Sequence, residues 1–599
     1  MANGTSIFLK SLTASPSSVP NDGTGRVGVS VVVFSAAEGA TITEVSAQID
    51  LPASNPRPME PDPREFLTSS GEGLYRLSLP VPLLTDPGEY TVTVRATDSA
   101  GAAAEVTAPL VVSYRRPDYA GGPLAAGNPE LLARLSGAEL RDGNLVRSLS
   151  SGADALRARM EMIESARRQI NLQTYALDAD GNCGKLIEAI RRQAAAGVEV
   201  NVILNLDSQL AVSARAALQL SLDRMGRDLR ELVRSVDQAL ASRALLRELS
   251  AGILEALGPE TAGPGLNLIL ADDQAILGEP EEEIRRRPVW LEKMSAEPRP
   301  KNGDERRNQR GFRGPGGLPS LPLLSYAVHE KILVVDGRRA IVGGRNLEDR
   351  YFSHWLDRDV YLEGPVAADV QRGFGRSFRD LARNLGRPGE IGKLPPDLAR
   401  RGDTRAIFIQ SRPWLQEYHT LRYLVTAFQM AQRHIYISSQ YLVLPDSLLR
   451  DALLDAAGRG VEVVILTNSY ATIQEVGIAA GYFISLHYLE PLLAAGIRIF
   501  EINGPEHDGQ PLPYLHSKEF LIDGELAAIG SFNLSIRSCY IESENLVVVL
   551  DPEFAAAEEK LFLELVRGRA TEITPDYLDR QRQTFRSKIS LARYLELLY

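Results

Sequence analysis

From the N-terminus to about residue 114, apolar and polar residues alternate in short runs. Arg26-Val27-Gly28-Val29-Ser30-Val31-Val32-Val33 and Tyr90-Thr91-Val92-Thr93-Val94-Arg95-Ala96 are two of them, separated by clusters of Pro, Gly, Asn and Asp. A period of two marks a strand with one buried face, and several strands at this spacing predict an all-β sandwich over 1–114. Residues 115–128, with Arg116-Pro117-Asp118-Tyr119-Ala120-Gly121-Gly122-Pro123, lose the period and read as a linker. Beyond them, continuous apolar runs alternate with stretches of helical period, which predicts α/β layers.

The α/β region repeats itself. Ala166-Arg167-Arg168-Gln169-Ile170-Asn171-Leu172 runs from a helix end into a strand, as does Ala431-Gln432-Arg433-His434-Ile435-Tyr436-Ile437. Gly197-Val198-Glu199-Val200 is answered by Gly460-Val461-Glu462-Val463, and in each a helix stops at glycine before a buried strand. The simplest reading is one unit duplicated as residues 129–400 and 401–599, the second half ending in a helical tail. From Gly197 to His329 the first half is about 76 residues longer than the second is from Gly460 to His516. That insertion falls at about 208–320. Leu218, Leu222, Met225, Leu229, Leu232, Val236 and Leu240 share one helix face. They predict an amphipathic helix packed on the domain, with a membrane-contacting or dimerising helix as the other reading. Glu281 to Gly317 is rich in Arg, Pro and Gly; Arg285–Arg287 and Arg306–Arg313 read as part of a mobile basic loop, or as a plain solvated one.

Composition narrows the class without naming a chemistry. The chain of 599 residues is 44% hydrophobic and 24% charged, as ordinary globular proteins are. No run reaches the roughly 18 apolar residues of a membrane span, and the first residues lack a signal-peptide pattern. A cytoplasmic or peripheral location is therefore expected. Two cysteines, Cys183 and Cys539, exclude a disulfide scaffold and a Cys-rich zinc site, and both are expected to be buried and inert. The net charge of −11, from 66 basic and 77 acidic residues, disfavours a general binder of nucleic acid or anionic lipid.

One spaced pattern occurs twice. His329-Glu330-Lys331, then Asp336, then Gly343-Gly344-Arg345-Asn346 has the spacing of His516-Ser517-Lys518, Asp523 and Gly530-Ser531-Phe532-Asn533. Apolar runs after each His-x-Lys predict a strand, and positions i and i+2 then face the same side. Asp336-Gly337 and Asp523-Gly524 are hairpin signals, which gives those aspartates a mainly structural role within the motif. The returning strands bring Asn346 and Asn533 back beside the His-Lys pairs. Two lysines and two amides suit an anionic tetrahedral centre, where both donor types stabilise negative charge on phosphate oxygens. One neutral imidazole can attack phosphorus and the other, protonated, can serve the leaving oxygen. This chemistry needs no cofactor and no metal. The remaining histidines, at 354, 419, 434, 487 and 507, share no spacing.

The repeated pattern resembles that of the phospholipase D superfamily over roughly residues 150–570, the insertion excluded. Gly343-Gly344-Arg345-Asn346-Leu347-Glu348-Asp349-Arg350-Tyr351-Phe352 and Trp355-Leu356-Asp357-Arg358-Asp359-Val360 look like bacterial cardiolipin synthases. Thr467-Asn468-Ser469, Ala480-Gly481-Tyr482 and Gly530 to Ser538 are similar to the C-type branch of those enzymes. Pro87 to Gly101 resembles the last hairpin of immunoglobulin-like bacterial modules, in which a binding or spacing role is expected. The resemblance implies a pair of phospholipase D-like domains with one shared site. In it His329, Lys331 and Asp336 join His516, Lys518 and Asp523 as the catalytic set, and Asn346 and Asn533 help the lysines bind phosphate. His329 is then the nucleophile that forms a phosphohistidine, and His516 the general acid and later base. It also implies a carboxylate behind each imidazole, at Asp357 and Glu544, to fix the tautomer and raise the imidazole pKa. Asp359 is an equally near candidate to Asp357, and Glu544 reads otherwise as an exposed strand charge.

The expected activity is transfer of a phosphatidyl group to an alcohol, or its hydrolysis by water, with phospholipid as substrate and membrane contact peripheral. The apolar stretch Val476 to Leu493 suits a core helix or an interfacial one. A metal-independent nuclease or other phosphodiesterase is the alternative, disfavoured by the acidic charge. A non-enzymatic adhesion protein led by the sandwich is a third, opposed by two complete motifs. Headgroup, acceptor and oligomeric state are not legible.

Overall fold

The computed structural model describes residues 7–36, 40–50, 57–58, 60–66, 73–205, 266–278, 326–387, 389, 391–392, 394, 396–444, 447–474, 479–502 and 513–592. The amphipathic helix of 218–240 and the basic loop of 281–317 lie outside the described residues. Residues 1–118 fall in one compact unit and most of the α/β region in a second.

The first unit is β-rich. Ile7–Ser15, Arg26–Ser35, Gly73–Pro80 and Glu60–Phe66 form one sheet. Ser18–Pro20, Ala103–Ser113, Gly88–Asp98, Ile42–Ile49 and Arg57–Pro58 form another. The alternation read in the sequence is the burial pattern: Val27, Val29, Val31 and Val33 point inward with Val92 and Val94, while the residues between them face out.

The α/β region is built on one long mixed sheet. Its first part runs Leu266–Ala271, Glu199–Asn205, Gln169–Thr174, Ile332–Val335, Arg339–Gly343, Asp359–Glu363 and Leu140–Leu149. Next come Thr404–Ser411, Glu542–Leu550, Leu526–Gly530, Glu519–Ile522, His434–Ser438, Glu462–Asn468, Arg498–Ile502 and Ala570–Glu572. From Arg498–Ile502 inward, the second series repeats the first: two parallel neighbours, an antiparallel hairpin carrying the motif, then two more strands to the middle. Helices Gly152–Glu164 and Gly181–Ala195 cover the first series through Ala155, Met162, Leu186 and Ile190. Helix Pro552–Arg569 buries Phe562 against the second. The helix Ala479–Ala494 buries Tyr482, Phe483, Ile484, Leu486, Leu489 and Leu492, which makes it a core helix. No helix among the described residues is long and apolar enough to cross a membrane.

Both motif hairpins turn at left-handed residues. Asp336 and Asp523 each have φ of 56°, followed by Gly337 at 66° and Gly524 at 62°. Consecutive positive φ values are what a tight two-residue hairpin with native twist demands. Asp is a tolerated non-glycine there because its carboxylate can accept local backbone donors. Asp336 accepts from the amides of Arg167, Arg168 and Gln169, at 3.0, 2.8 and 3.0 Å. Asp523 accepts from Gln432, Arg433 and His434, at 2.8, 2.7 and 2.9 Å. Each thereby ties its hairpin to the strand start that opens its repeat.

Candidate active site

The two His-x-Lys segments sit just before the motif strands rather than in them. His329 to Lys331 lie between the short strand Ala327–Val328 and the strand Ile332–Val335. The reason is a change of partner. Ala327–Val328 pairs in parallel with Glu542–Ser543 of the second half, and the His329 amide donates to the Ser543 carbonyl at 3.2 Å. The second motif does the reciprocal thing: Leu515 bridges Leu356, and the His516 amide donates to the Leu356 carbonyl at 2.7 Å. Each chain segment therefore leaves the opposite half's backbone at its histidine.

This crossing decides which carboxylate each imidazole meets. His329 Nδ1 lies 3.1 Å from Glu544 Oε1 and 3.8 Å from Glu542 Oε2. His516 Nδ1 lies 2.7 Å from Asp357 Oδ2. Asp359 is engaged elsewhere, with Arg345 at 3.1 Å and Arg159 at 3.0 Å. Glu544 is fully buried rather than an exposed strand charge. It accepts from Ser531 Oγ, and from Ser538 Oγ at 2.6 Å. Gly344 stands where Ser531 does in the other half; a Cβ on it would lie 2.2 Å from Asp357 Oδ1, so only glycine admits that carboxylate.

Lys331 and Lys518 are buried, and each ammonium donates to the carbonyl of its own histidine. Asn346 donates to the Tyr351 hydroxyl at 2.9 Å, and the amide oxygens of Asn346 and Asn533 are buried without a protein donor. Asp336 and Asp523 complete the motifs in sequence but sit at the far ends of the hairpin strands. Their carboxylates are spent on backbone amides, which gives them the turn role and not a reacting one.

Burial sets the electrostatics. It pushes Lys331 down to about 8 and Lys518 down to about 7, against the pull of nearby carboxylates. It pushes the Glu544 carboxyl up to about 7 and raises that of Asp357. Both imidazoles are held well below their ordinary value, first by burial and then by the lysines. The carboxylates were expected to raise them; desolvation and two ammonium groups outweigh that attraction. Each neutral ring donates Nδ1–H to its carboxylate and keeps a lone pair on Nε2.

His329, Glu542 and Glu544 place ligand atoms within 4.8 Å of one another, an arrangement that also suits a cation. Their charge is already met from within. Arg537 Nε is 2.7 Å from Glu542, and that carboxyl is held below its ordinary value despite its burial. Lys331 pulls Glu544 in the same direction, but there burial wins and the carboxyl stays raised to about 7. The pair Glu542–Arg537 and the hydroxyls of Ser531, Ser538 and Tyr351 were not singled out from sequence. Their one signal was register, since Arg350 and Arg537, and Tyr351 and Ser538, follow their histidines at equal distances.

Two histidines, each with a carboxylate at Nδ1, thus lie with two buried lysines. Residues 424–566 match the family model described as cardiolipin synthase, PLD-like domain. The second half of the chain is thus similar to a phospholipase D-like domain. Cardiolipin synthase A of Pseudomonas aeruginosa is 31% identical over 272 residues, covering 44% of this chain and 51% of that protein. Its counterpart in Pseudomonas fluorescens is 32% identical over 270 residues, with 44% and 51% covered. The chain thus spans about half the length of the curated relatives it matches. Among solved structures, phosphatidylserine synthase of Haemophilus influenzae aligns over 79% of this chain and 100% of that one, at 12% identity and a TM-score of 0.46.

Proposed function

We propose that this chain is a phospholipid phosphatidyltransferase or hydrolase whose two phospholipase D-like halves share one active site, working through a phosphohistidine. The observation that carries this reading is the crossed pairing, His329 with Glu544 and His516 with Asp357. Neither motif histidine takes the carboxylate at its Nδ1 from its own half.

In the first step Nε2 of His329 attacks phosphorus in line, forming an N–P bond as the bond to the leaving oxygen breaks. His516, protonated, gives its Nε2 proton to that oxygen. The buried lysines and the amides of Asn346 and Asn533 take the charge on the non-bridging oxygens. A phosphodiester anion between the lysines also offsets the charge that depresses the imidazoles, so substrate binding itself favours protonation of His516. In the second step His516 takes a proton from an alcohol or water. That oxygen attacks phosphorus, and the N–P bond breaks to return neutral His329. An alcohol gives transfer and water gives hydrolysis.

The test is lipid mass spectrometry on cells expressing the wild-type protein beside His329→Ala, with purified protein and mixed phospholipids as the in vitro arm. The wild type is expected to exchange or release a headgroup, and His329→Ala to lose turnover by roughly 10⁴-fold or more. An unchanged lipid profile from active-site-intact protein would sink the phospholipid reading.

A further inference from the structure

The two halves carry matching residues at matching distances from their histidines, and one of the mismatches acts directly on an imidazole. Tyr351 follows His329 at the distance by which Ser538 follows His516. Asn346 with Asn533, and Arg350 with Arg537, keep the correspondence on either side. Ser538 Oγ reaches Glu544, the carboxylate behind His329 Nδ1, at 2.6 Å. Tyr351 is longer and reaches an imidazole directly: its hydroxyl lies 3.3 Å from His516 Nε2.

The direction of that hydrogen bond follows from the neighbours. Asn346 Nδ2 donates to the Tyr351 oxygen at 2.9 Å, so the phenol's own proton points elsewhere. His516 spends its N–H on Asp357 at Nδ1, so Nε2 is the acceptor. The phenol stays protonated, since burial pushes it well above its ordinary value. Packing holds the geometry: the Tyr351 ring lies edge-on to His516 with centroids 4.8 Å apart, and 4.6 Å from Trp355. Among the described residues, His329 has hydrogen bonds at Nδ1 and none at Nε2.

We propose that Tyr351 is a positioning residue that helps assign different roles to the two motif histidines. By donating to His516 Nε2 it occupies the lone pair that an attack on phosphorus needs, and leaves His329 as the nucleophile. His516 is kept for proton transfer: once its Nε2 is protonated, the hydroxyl can turn and accept instead. The proposal rests on the phosphoryl-transfer reading for its consequence, but the hydrogen bond itself is testable without turnover.

Diethyl pyrocarbonate acylates an imidazole through a free ring lone pair. His329 and His516 are equally buried, at 6% and 5% exposure, so access does not bias the comparison. In the intact wild-type chain, mapped by peptide mass spectrometry, His329 is expected to be acylated about fivefold faster than His516, the worth of one hydrogen bond. Tyr351→Phe keeps the ring and removes the hydroxyl. It is expected to bring His516 up to the rate of His329 while His329 itself is unchanged. Equal rates in the wild type, an unchanged His516 in Tyr351→Phe, or an equal rise at both histidines would each overturn the proposal. A separate arm adds a nitrophenyl phosphodiester and maps phosphorus. If no adduct forms on wild type while the acylation pattern holds, the functional reading falls and the role of Tyr351 stands.

Discussion

At each histidine, a group drawn from the opposite half sets the behaviour of the ring. Glu544→Gln and Asp357→Asn are expected to lower kcat by about 10²-fold or more, because an amide can present the wrong tautomer to Nδ1. The lysines set the pH profile. Lys518 near 7 and Lys331 near 8 lose their charge as pH rises through those values, so kcat/KM is expected to fall on the alkaline side from about pH 7. A bound phosphodiester favours the charged lysine, so the corresponding limb of kcat lies at higher pH; coincident limbs would count against phosphate contact. The same shifts act on stability. An unfolded lysine binds its proton to about pH 10.4 and the folded one releases it earlier, so this burial penalty is full below about pH 7 and is relieved as pH rises.

Among the elements, the motif hairpins show how far sequence reading reaches. Asp-Gly between apolar runs foretold a tight turn, and both turns have the positive φ pair it needs. The three amides that each aspartate collects come from the start of a strand far away in sequence, which no local pattern encodes. Asp336→Ala is expected to cost about 2–4 kcal/mol in chemical denaturation, from three lost bonds and a left-handed residue without its compensation. Asp336→Asn, which keeps one acceptor oxygen, is expected to cost less. The placement of His-x-Lys before the strand escaped sequence reading for a similar reason. Ala327–Val328 is too short to show a period, and its partner lies in the other half.

Across the whole molecule, charge and domain structure divide the work. The chain averages −11, yet its candidate phosphate site gathers Lys331, Lys518, Arg350 and Arg537 around two imidazoles. Because Arg537 already pairs with Glu542 and Lys331 lies near Glu544, turnover is expected to be unchanged by a chelator such as EDTA; loss of activity restored by a divalent cation would reassign the His329–Glu542–Glu544 cluster. The β-rich unit has its own core around Val27, Val31, Val92 and Val94. Residues 1–118 expressed alone are expected to unfold cooperatively, as followed by circular dichroism.

The sequence by itself determined the strand alternation, the repeat, the hairpin turns and the equal spacing of both His-Lys-Asn sets. Each of these is written in residues close together or equally spaced, where period and register are visible. Only the tertiary structure decided that Asp357 and not Asp359 faces an imidazole, that each carboxylate serves the opposite half's histidine, and that the rings are depressed by burial. It also decided that Tyr351 touches one ring while Ser538, its counterpart, stops at a carboxylate. Those facts depend on side-chain reach and on contacts between segments more than a hundred residues apart, and a one-dimensional pattern carries neither.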